Sequence, residues 1–125
     1  SALLRHRAWH VKKTLDLDAM ISASRHLIGE HDFSSFRASG CQAKHAIRRL
    51  EYIRFSQNDE LILCHIKGNA FLHNMIRIII GSLVEIGLEK WPADHIAEVL
   101  ASKDRVEAGQ TAPACGLYLQ EIIFG

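Results

Sequence analysis

The chain has 125 residues, of which 48% are hydrophobic and 23% are charged. This length suits one compact domain with a core, and the composition excludes wholesale disorder. The formal net charge of +1 gives no strong overall field, so it does not by itself indicate a nucleic-acid partner. Three cysteines without a CxxC pair are typical of reduced thiols in a cytosolic protein, which disfavours a disulfide framework or a zinc site.

The first part of the chain predicts one helix after a basic leading segment. Residues 1–15 are weakly patterned and could form an edge strand, whereas residues 16–125 form the main domain. Asp16 or Asp18 is a suitable cap for a helix that runs to about Ile28, with Gly29 closing it. The residues that follow, 30–40, predict a compact loop with one short turn.

The rest of the chain predicts a sheet and two helices. Hairpin-like turn chemistry at 57–60 separates two strands, and a long helix, apolar nearly all round, follows them. Pro92 suits the first turn of a further helix that ends near Ser102, and a last strand comes after it. The predicted strands are 47–56, 61–68 and 116–124, and the long helix is 71–87. This order predicts an α+β fold, an antiparallel sheet backed by helices.

Arg77 lies in the middle of the most apolar stretch of the chain. An unpaired buried charge is costly, so this arginine needs a carboxylate or a phosphate. Helical spacing places His73, Arg77, Gly81 and Glu85 in one row, with Asn74 beside it. Gly81 would leave room for a partner that approaches Arg77. An internal salt bridge, for example to Glu85 through a neighbour, is an equally good interpretation.

The segment 32–37 combines two phenylalanines, two serines and an arginine. Single-stranded nucleic acid is bound by such mixtures, through stacking and phosphate contacts. Taken alone, the segment favours a packed loop in which the side chains of Phe33 and Phe36 fill the interior. The basic stretch from Arg37 to Arg54 is either a surface that tracks phosphates or a charged strand edge.

The sequence contains no recognisable motif for the other common kinds of catalytic or cofactor-binding site. Eight histidines are present, yet they show no metal-ligand spacing on a single element. The chain has no phosphate-binding loop, dinucleotide fingerprint or Ser-His-Asp order. The longest apolar run is interrupted by His73, Asn74 and Arg77, so we expect no membrane span. We therefore expect no metal, and catalysis carried wholly within the chain is disfavoured.

Four motifs in register resemble the C-terminal half of the tRNA pseudouridine synthase A (TruA) family. The matching runs are DFSSFRA at 32–38, GNAFL at 68–72, MIR at 75–77 with GSLVEIG at 81–87, and AGQTAPA at 108–114 leading into GLYL at 116–119. Their order and spacing fit the family from about residue 15 onward, which implies half of a pseudouridine synthase catalytic fold.

The resemblance implies an enzyme that isomerises uridine to pseudouridine in the tRNA anticodon stem-loop without cofactor or metal. Such enzymes flip the target base out of the stack and use an aspartate as nucleophile. By motif, Arg77 corresponds to the ion-pair partner of that aspartate, and Leu117 to the apolar residue under the flipped base. The expected RNA contacts are Phe33, Ser35, Phe36, Arg37, Arg48, Asn69, His73 and Asn74.

The chain departs from the family at the nucleophile. That aspartate lies in an Arg-Thr-Asp-Ala-Gly-type segment of the N-terminal half, and none of the six aspartates of this chain has that context. We therefore expect the chain alone to be inactive. The expected partners are tRNA, the N-terminal half of the same protein and a second copy in a cytoplasmic homodimer. The alternative interpretation is a stand-alone RNA-binding α+β module without chemistry, which leaves Arg77 unexplained.

Overall fold

The protein is described by a computed structural model that covers residues 15–58, 61–112 and 119–123. In these residues three α-helices and four strands alternate with short 3₁₀ turns. The α-helices are α1 (Leu17–Ser24), α2 (Met75–Gly87) and α3 (His95–Ser102). The strands are β1 (Gly29–Asp32), β2 (Ile47–Asn58), β3 (Leu61–Gly68) and β4 (Leu119–Ile123). The 3₁₀ turns are Arg25–Leu27, Ser34–Phe36 and Arg105–Glu107.

The first helix begins as its capping residue predicts. The Asp16 carboxylate accepts a hydrogen bond from the Ala19 backbone N–H at 3.1 Å, which satisfies one of the donors left over in the first helical turn. The α-helix ends at Ser24, and the chain continues through a 3₁₀ turn. Gly29, at φ 98°, then turns the chain into β1.

The strand β1 is absent from the sequence prediction, which assigned its residues to a loop. It pairs antiparallel with β2, from Gly29 opposite Leu50 to Asp32 opposite Ile47. Its sequence, Gly-Glu-His-Asp, has no apolar alternation. Backbone pairing with the long neighbouring strand therefore decides its structure.

The sheet has the order β1-β2-β3-β4. The β2 and β3 strands pair antiparallel as predicted, with a bulge between Leu50 and Tyr52, whereas β4 lies parallel to β3. A parallel neighbour requires a crossover, and the helices α2 and α3 lie in that connection. The α+β prediction is confirmed. The predicted antiparallel pairing holds for β1 to β3, and the parallel strand β4 makes the sheet of the described residues mixed.

The helix α2 forms the centre of the core. Eleven of its thirteen residues are buried, and the two that are not, Arg77 and Glu85, lie two turns apart on one face. The helix begins at Met75, four residues later than predicted, because Asn74 adopts the left-handed conformation at φ 59°. The core continues onto the sheet through buried side chains of β2 and β3, Leu50, Ile53, Cys64 and Ile66.

Two contacts with α1 fix the C-terminal end of α2. The Asp16 backbone N–H donates to the Gly87 carbonyl at 2.8 Å. A Cβ on Gly87 would stand 2.7 Å from the Met20 sulfur, so the glycine lets the two helices approach closely. Nowhere in the described chain is a helix both long and apolar enough to cross a membrane. The predicted leading segment, apart from Leu15, and residues 116–118 and 124 of the predicted last strand lie outside the described residues.

Candidate functional site

Arg77 is half-buried in the first turns of α2 and is held by two neutral acceptors. Its Nε donates to the Ala112 carbonyl at 2.8 Å, and its Nη1 donates to the Asn74 side-chain oxygen at 3.2 Å. Among the residues the structure describes, no carboxylate forms an ion pair with this guanidinium. The carboxylate of Glu85, the acid on the same helix face, forms an ion pair with Lys90 instead, with Oε2 3.8 Å from Nζ. The internal Arg77–Glu85 salt bridge is therefore not formed.

Asn74 joins the backbone and the side chain of this site. Its left-handed conformation directs the chain into α2, and its carbonyl accepts from the Ile78 N–H at 3.0 Å. Asparagine tolerates this conformation better than most residues with a side chain. The same residue supplies the oxygen that binds Nη1, so its expected role as an RNA contact competes with its contact to Arg77.

A segment that we call the strap, residues 108–112, lies across α2 between Arg77 and Glu85. The Gly109 N–H donates to the buried Ser82 hydroxyl at 2.8 Å, and the Ala112 N–H donates to the Arg77 carbonyl at 3.0 Å. A Cβ on Gly81 would overlap the Gln110 carbonyl oxygen. The expectation that Gly81 leaves room for an incoming partner is therefore wrong, because the strap of the same chain occupies that space.

The arrangement leaves part of the guanidinium available for an anion. Arginine carries N–H donors on Nε, Nη1 and Nη2, and the two observed bonds use Nε and one donor of Nη1. In the described part of the chain, the Nη2 donors have no hydrogen-bond partner. Because both observed acceptors are neutral, the positive charge of Arg77 is oriented but is not neutralised by any residue that the structure describes. Such a group can hold a carboxylate in its ionised form.

The phenylalanines of the segment 32–37 belong to the core. Phe33 and Phe36 are 0% exposed and pack against each other with ring centroids 6.2 Å apart. Ser35 is also 0% exposed, and its hydroxyl donates to the Val99 carbonyl of α3 at 2.6 Å. The expectation that these three side chains contact RNA is corrected. Fully buried side chains offer no surface to a nucleic acid, and the packed-loop interpretation describes them.

Two polar residues of the same segment shape its backbone. Arg37 donates from Nη2 to the carbonyls of Cys41 and Ala43, at 3.0 and 2.8 Å, and so pins the following loop. The hydrogen bond from the Ser34 hydroxyl holds the pKa of Asp32 below its ordinary value, and the Ser34 backbone N–H acts in the same direction. The polar pattern read from the sequence as RNA-binding therefore makes internal contacts.

The remaining expected RNA contacts lie at the surface. The Arg48 Nη1 donates to the Ile47 carbonyl at 2.7 Å, and its Nε is buried without a hydrogen-bond partner among the described residues. Asn69 is exposed, and its side-chain oxygen accepts from the Arg49 N–H at 2.9 Å. His73 is exposed one residue before Asn74, and its carbonyl accepts from the Ala38 N–H. Leu117 lies outside the described residues.

The sheet face away from the helices carries a feature that the sequence analysis missed. The Arg54 guanidinium lies 3.8 Å from the centre of the Tyr52 ring, a cation–π contact. Across the β2–β3 pair, Arg54 is opposite His65, and Tyr52 is opposite Lys67. The period-two alternation of β2 around buried Ile53 is the signal that could have placed Tyr52 beside Arg54. In the described chain, no group of three or more potential ligands is positioned to hold a metal ion.

Comparisons with known proteins identify the family. The family model described as tRNA pseudouridine synthase matches residues 23–125. The protein named tRNA pseudouridine synthase A of Blochmanniella pennsylvanica is 49% identical over 122 residues, 98% of this chain and 47% of that protein. Its namesake in Acetivibrio thermocellus is 45% identical over 124 residues, 99% of this chain and 51% of that protein.

These two comparisons cover nearly all of this chain but only part of each relative. The chain thus spans about half the length of the curated relatives it matches. The resemblance found in the sequence motifs is confirmed: the chain belongs to the tRNA pseudouridine synthase family.

Proposed function

We propose that this chain is the C-terminal half of a tRNA pseudouridine synthase and forms one wall of its active-site cleft. In this proposal the complete enzyme isomerises uridine to pseudouridine in the anticodon stem-loop of tRNA, in the cytoplasm and as a homodimer. Family membership supports the reaction class. The observation that carries the role of this half is Arg77, an oriented guanidinium without a carboxylate partner among the described residues.

The proposed role of Arg77 follows from simple electrostatics. A catalytic aspartate from the other half of the enzyme pairs with Arg77, and the nearby positive charge keeps that carboxylate ionised and oriented. The reaction detaches the uracil, turns it, and rejoins it to the sugar through carbon 5, so the hydrogen on carbon 5 is released. Because the chain supplies the arginine and not the nucleophile, the chain alone does not catalyse this reaction.

Of the expected RNA contacts we retain three, all with exposed or half-exposed side chains: Arg48, Asn69 and His73. His73 lies four residues before Arg77 in sequence. Arg48 lies on β2, opposite His31 of β1, and Asn69 follows the last residue of β3. Leu117 keeps its proposed place under the flipped base. The alternative of a stand-alone RNA-binding module rested on the aromatic loop and on the basic stretch. The burial of Phe33 and Phe36 removes the first of these two supports.

The experiment measures tritium release from tRNA labelled at carbon 5 of uridine. Four samples are assayed in parallel: this chain, the other half of the synthase, the mixture of both, and the complete protein. We expect activity from the complete protein and none from this chain alone. In the complete protein, Arg77→Ala should reduce turnover by about 10²-fold or more, the typical loss when a charge-stabilising group is removed.

The controls separate the role of Arg77 from a general loss of positive charge. Arg25→Ala removes an exposed arginine of the first 3₁₀ turn, and its turnover should match that of the unchanged protein. Arg77→Lys keeps the charge but loses the planar fork, so it should recover only part of the activity. Tritium release by the purified chain alone would refute the proposal that this chain supplies only one half of the active site. Full turnover in folded Arg77→Ala protein would refute the ion-pair role.

A further inference from the structure

We propose that Asn74 is a positioning residue for Arg77: with the Ala112 carbonyl, it fixes the guanidinium so that an incoming carboxylate meets it end-on, through Nη1 and Nη2. This inference deepens the proposed function, on which it rests. It assigns Asn74 a role inside the protein, in place of the RNA contact expected from the sequence.

The two acceptors restrict how an anion can reach Arg77. A carboxylate can bind a guanidinium through two parallel hydrogen bonds, either side-on at Nε and Nη2 or end-on at Nη1 and Nη2. The Ala112 carbonyl occupies Nε at 2.8 Å, which removes the side-on arrangement. The Asn74 oxygen at 3.2 Å takes one of the two Nη1 donors, so one Nη1 donor and both Nη2 donors have no hydrogen-bond partner among the described residues. The end-on edge is therefore the one available for a bidentate contact.

The chemistry of Asn74 suits a positioning role. Its amide oxygen orients Arg77 without a negative charge, so the guanidinium keeps its full attraction for a carboxylate. A second acceptor also stops rotation of the guanidinium about a single hydrogen bond to Ala112. An arginine side chain has several rotatable bonds, and fixing it before the reaction removes that ordering cost from the catalytic step.

The backbone conformation of Asn74 offers a way to separate its two contributions. Glycine adopts a φ of 59° at least as readily as asparagine. The substitution Asn74→Gly therefore keeps the turn into α2 and removes only the side-chain amide. If Asn74 served the backbone alone, this substitution would be harmless. If it positions Arg77, the fold stays intact while the guanidinium loses one of its two acceptors.

The test uses the complete synthase and three readouts: kcat and KM for tRNA, the thermal unfolding midpoint, and the NMR signals of the Arg77 guanidinium. For Asn74→Gly we expect an unchanged or higher unfolding midpoint, a kcat lower by about ten- to a hundredfold, and a KM within about twofold, since misplaced catalytic groups cost turnover more than binding. The Nη signals of Arg77 should show faster rotation than in the unchanged protein.

The matched control is Glu89→Gly, at the other end of the same helix. Glu89 has a left-handed φ of 64° and is exposed, so its replacement makes the same backbone change away from Arg77. This variant should keep both kcat and the Arg77 signals. A kcat for Asn74→Gly within twofold of the unchanged protein, or Arg77 signals that do not change, would overturn the positioning role.

A second variant tests whether the acceptor must be neutral. Asn74→Asp keeps an oxygen at the same place but supplies a negative charge that competes with the incoming carboxylate. We expect kcat to fall, and full kcat in this variant would count against the positioning role as stated. The comparison with Arg77→Ala separates the two proposals. If Arg77→Ala is inactive while Asn74→Gly is fully active, only the positioning role fails; if Arg77→Ala is fully active, the ion-pair role itself fails.

Discussion

Arg77 and Ala112 are joined twice, although 35 positions separate them in sequence: the Arg77 Nε donates to the Ala112 carbonyl at 2.8 Å, and the Ala112 N–H donates to the Arg77 carbonyl at 3.0 Å. The strap therefore contacts both the backbone and the side chain of the proposed catalytic arginine. Because the strap also crosses α2 at Gly81, we expect a change of packing at Gly81 to alter the orientation of the guanidinium as well.

Gly81→Ala should destabilise the protein and displace the strap. A Cβ at this position would overlap the Gln110 carbonyl oxygen, and a backbone atom cannot move aside as a flexible side chain can. We expect the free energy of unfolding to fall by about 1–3 kcal/mol or more, the usual cost of overpacking. Urea denaturation measures it, and an unchanged midpoint would contradict this account.

Gly87→Ala is the matched control on the same helix. Its Cβ would meet the Met20 sulfur at 2.7 Å, which belongs to a flexible side chain that can shift. Alanine also favours the helical conformation over glycine by about 1 kcal/mol. We therefore expect a smaller loss of stability than in Gly81→Ala.

Ser82→Ala should weaken the strap without adding bulk. The buried Ser82 hydroxyl accepts from the Gly109 N–H and donates to the Ile78 carbonyl. Alanine would leave the Gly109 N–H unpaired in the core, at a cost of about 1–3 kcal/mol in unfolding free energy. Hydrogen exchange of the Gly109 amide should accelerate. The exposed Ser22→Ala on α1 serves as control, and equal stabilities of the two variants would contradict the prediction.

Phe36→Ala should act on stability and not directly on RNA. Phe36 is 0% exposed, and truncation of a buried phenylalanine typically lowers the free energy of unfolding by about 3–5 kcal/mol. Phe36→Leu, a milder change that keeps the protein folded, should leave the dissociation constant for tRNA within about twofold. Filter binding with the complete synthase measures this constant. A tenfold loss of affinity at native stability would restore the stacking interpretation.

Asp32 should contribute a stability that acid removes. The Ser34 hydroxyl lowers the pKa of Asp32 in the folded state below its ordinary value of 3.8. The contribution is therefore present above that ordinary value and is lost as the pH falls through the lower, folded-state pKa. In Ser34→Ala the pKa of Asp32 should rise, as measured by NMR titration of its carboxyl carbon. Exposed Ser39→Ala should leave the titration unchanged, and the same curve in both variants would disprove the assigned cause.

The two described cysteines should differ in reactivity. Burial raises the pKa of the Cys64 thiol to about 12. The backbone N–H of Ala43, followed by His73 and Arg37, lowers the pKa of the Cys41 thiol. Iodoacetamide at mildly alkaline pH should therefore modify Cys41 at least about tenfold faster, because the thiolate is the reactive form. Peptide mass spectrometry measures both sites, and faster modification of Cys64 in folded protein would contradict the assignment.

Local chemistry made part of the fold predictable from sequence. Asp16 caps α1 as expected, and the apolar run around Arg77 forms the central helix because continuous apolar residues require burial on all sides. The strand β1 could not be predicted, since its four residues carry no alternation and depend on pairing with β2. The parallel direction of β4 could not be predicted from the sequence either. The direction of a strand depends on where the preceding helices return the chain to the sheet.

From the sequence alone, the motifs identified the family, and the position of Arg77 inside an apolar run predicted that its charge is compensated by a partner. Only the tertiary structure decided which neighbours hold that charge, which side chains of the segment 32–37 are buried, and why residue 81 is glycine. These properties arise from contacts between segments far apart in sequence, such as the strap on α2 and Ser35 on Val99. No local pattern encodes such contacts, because they form only when the core packs.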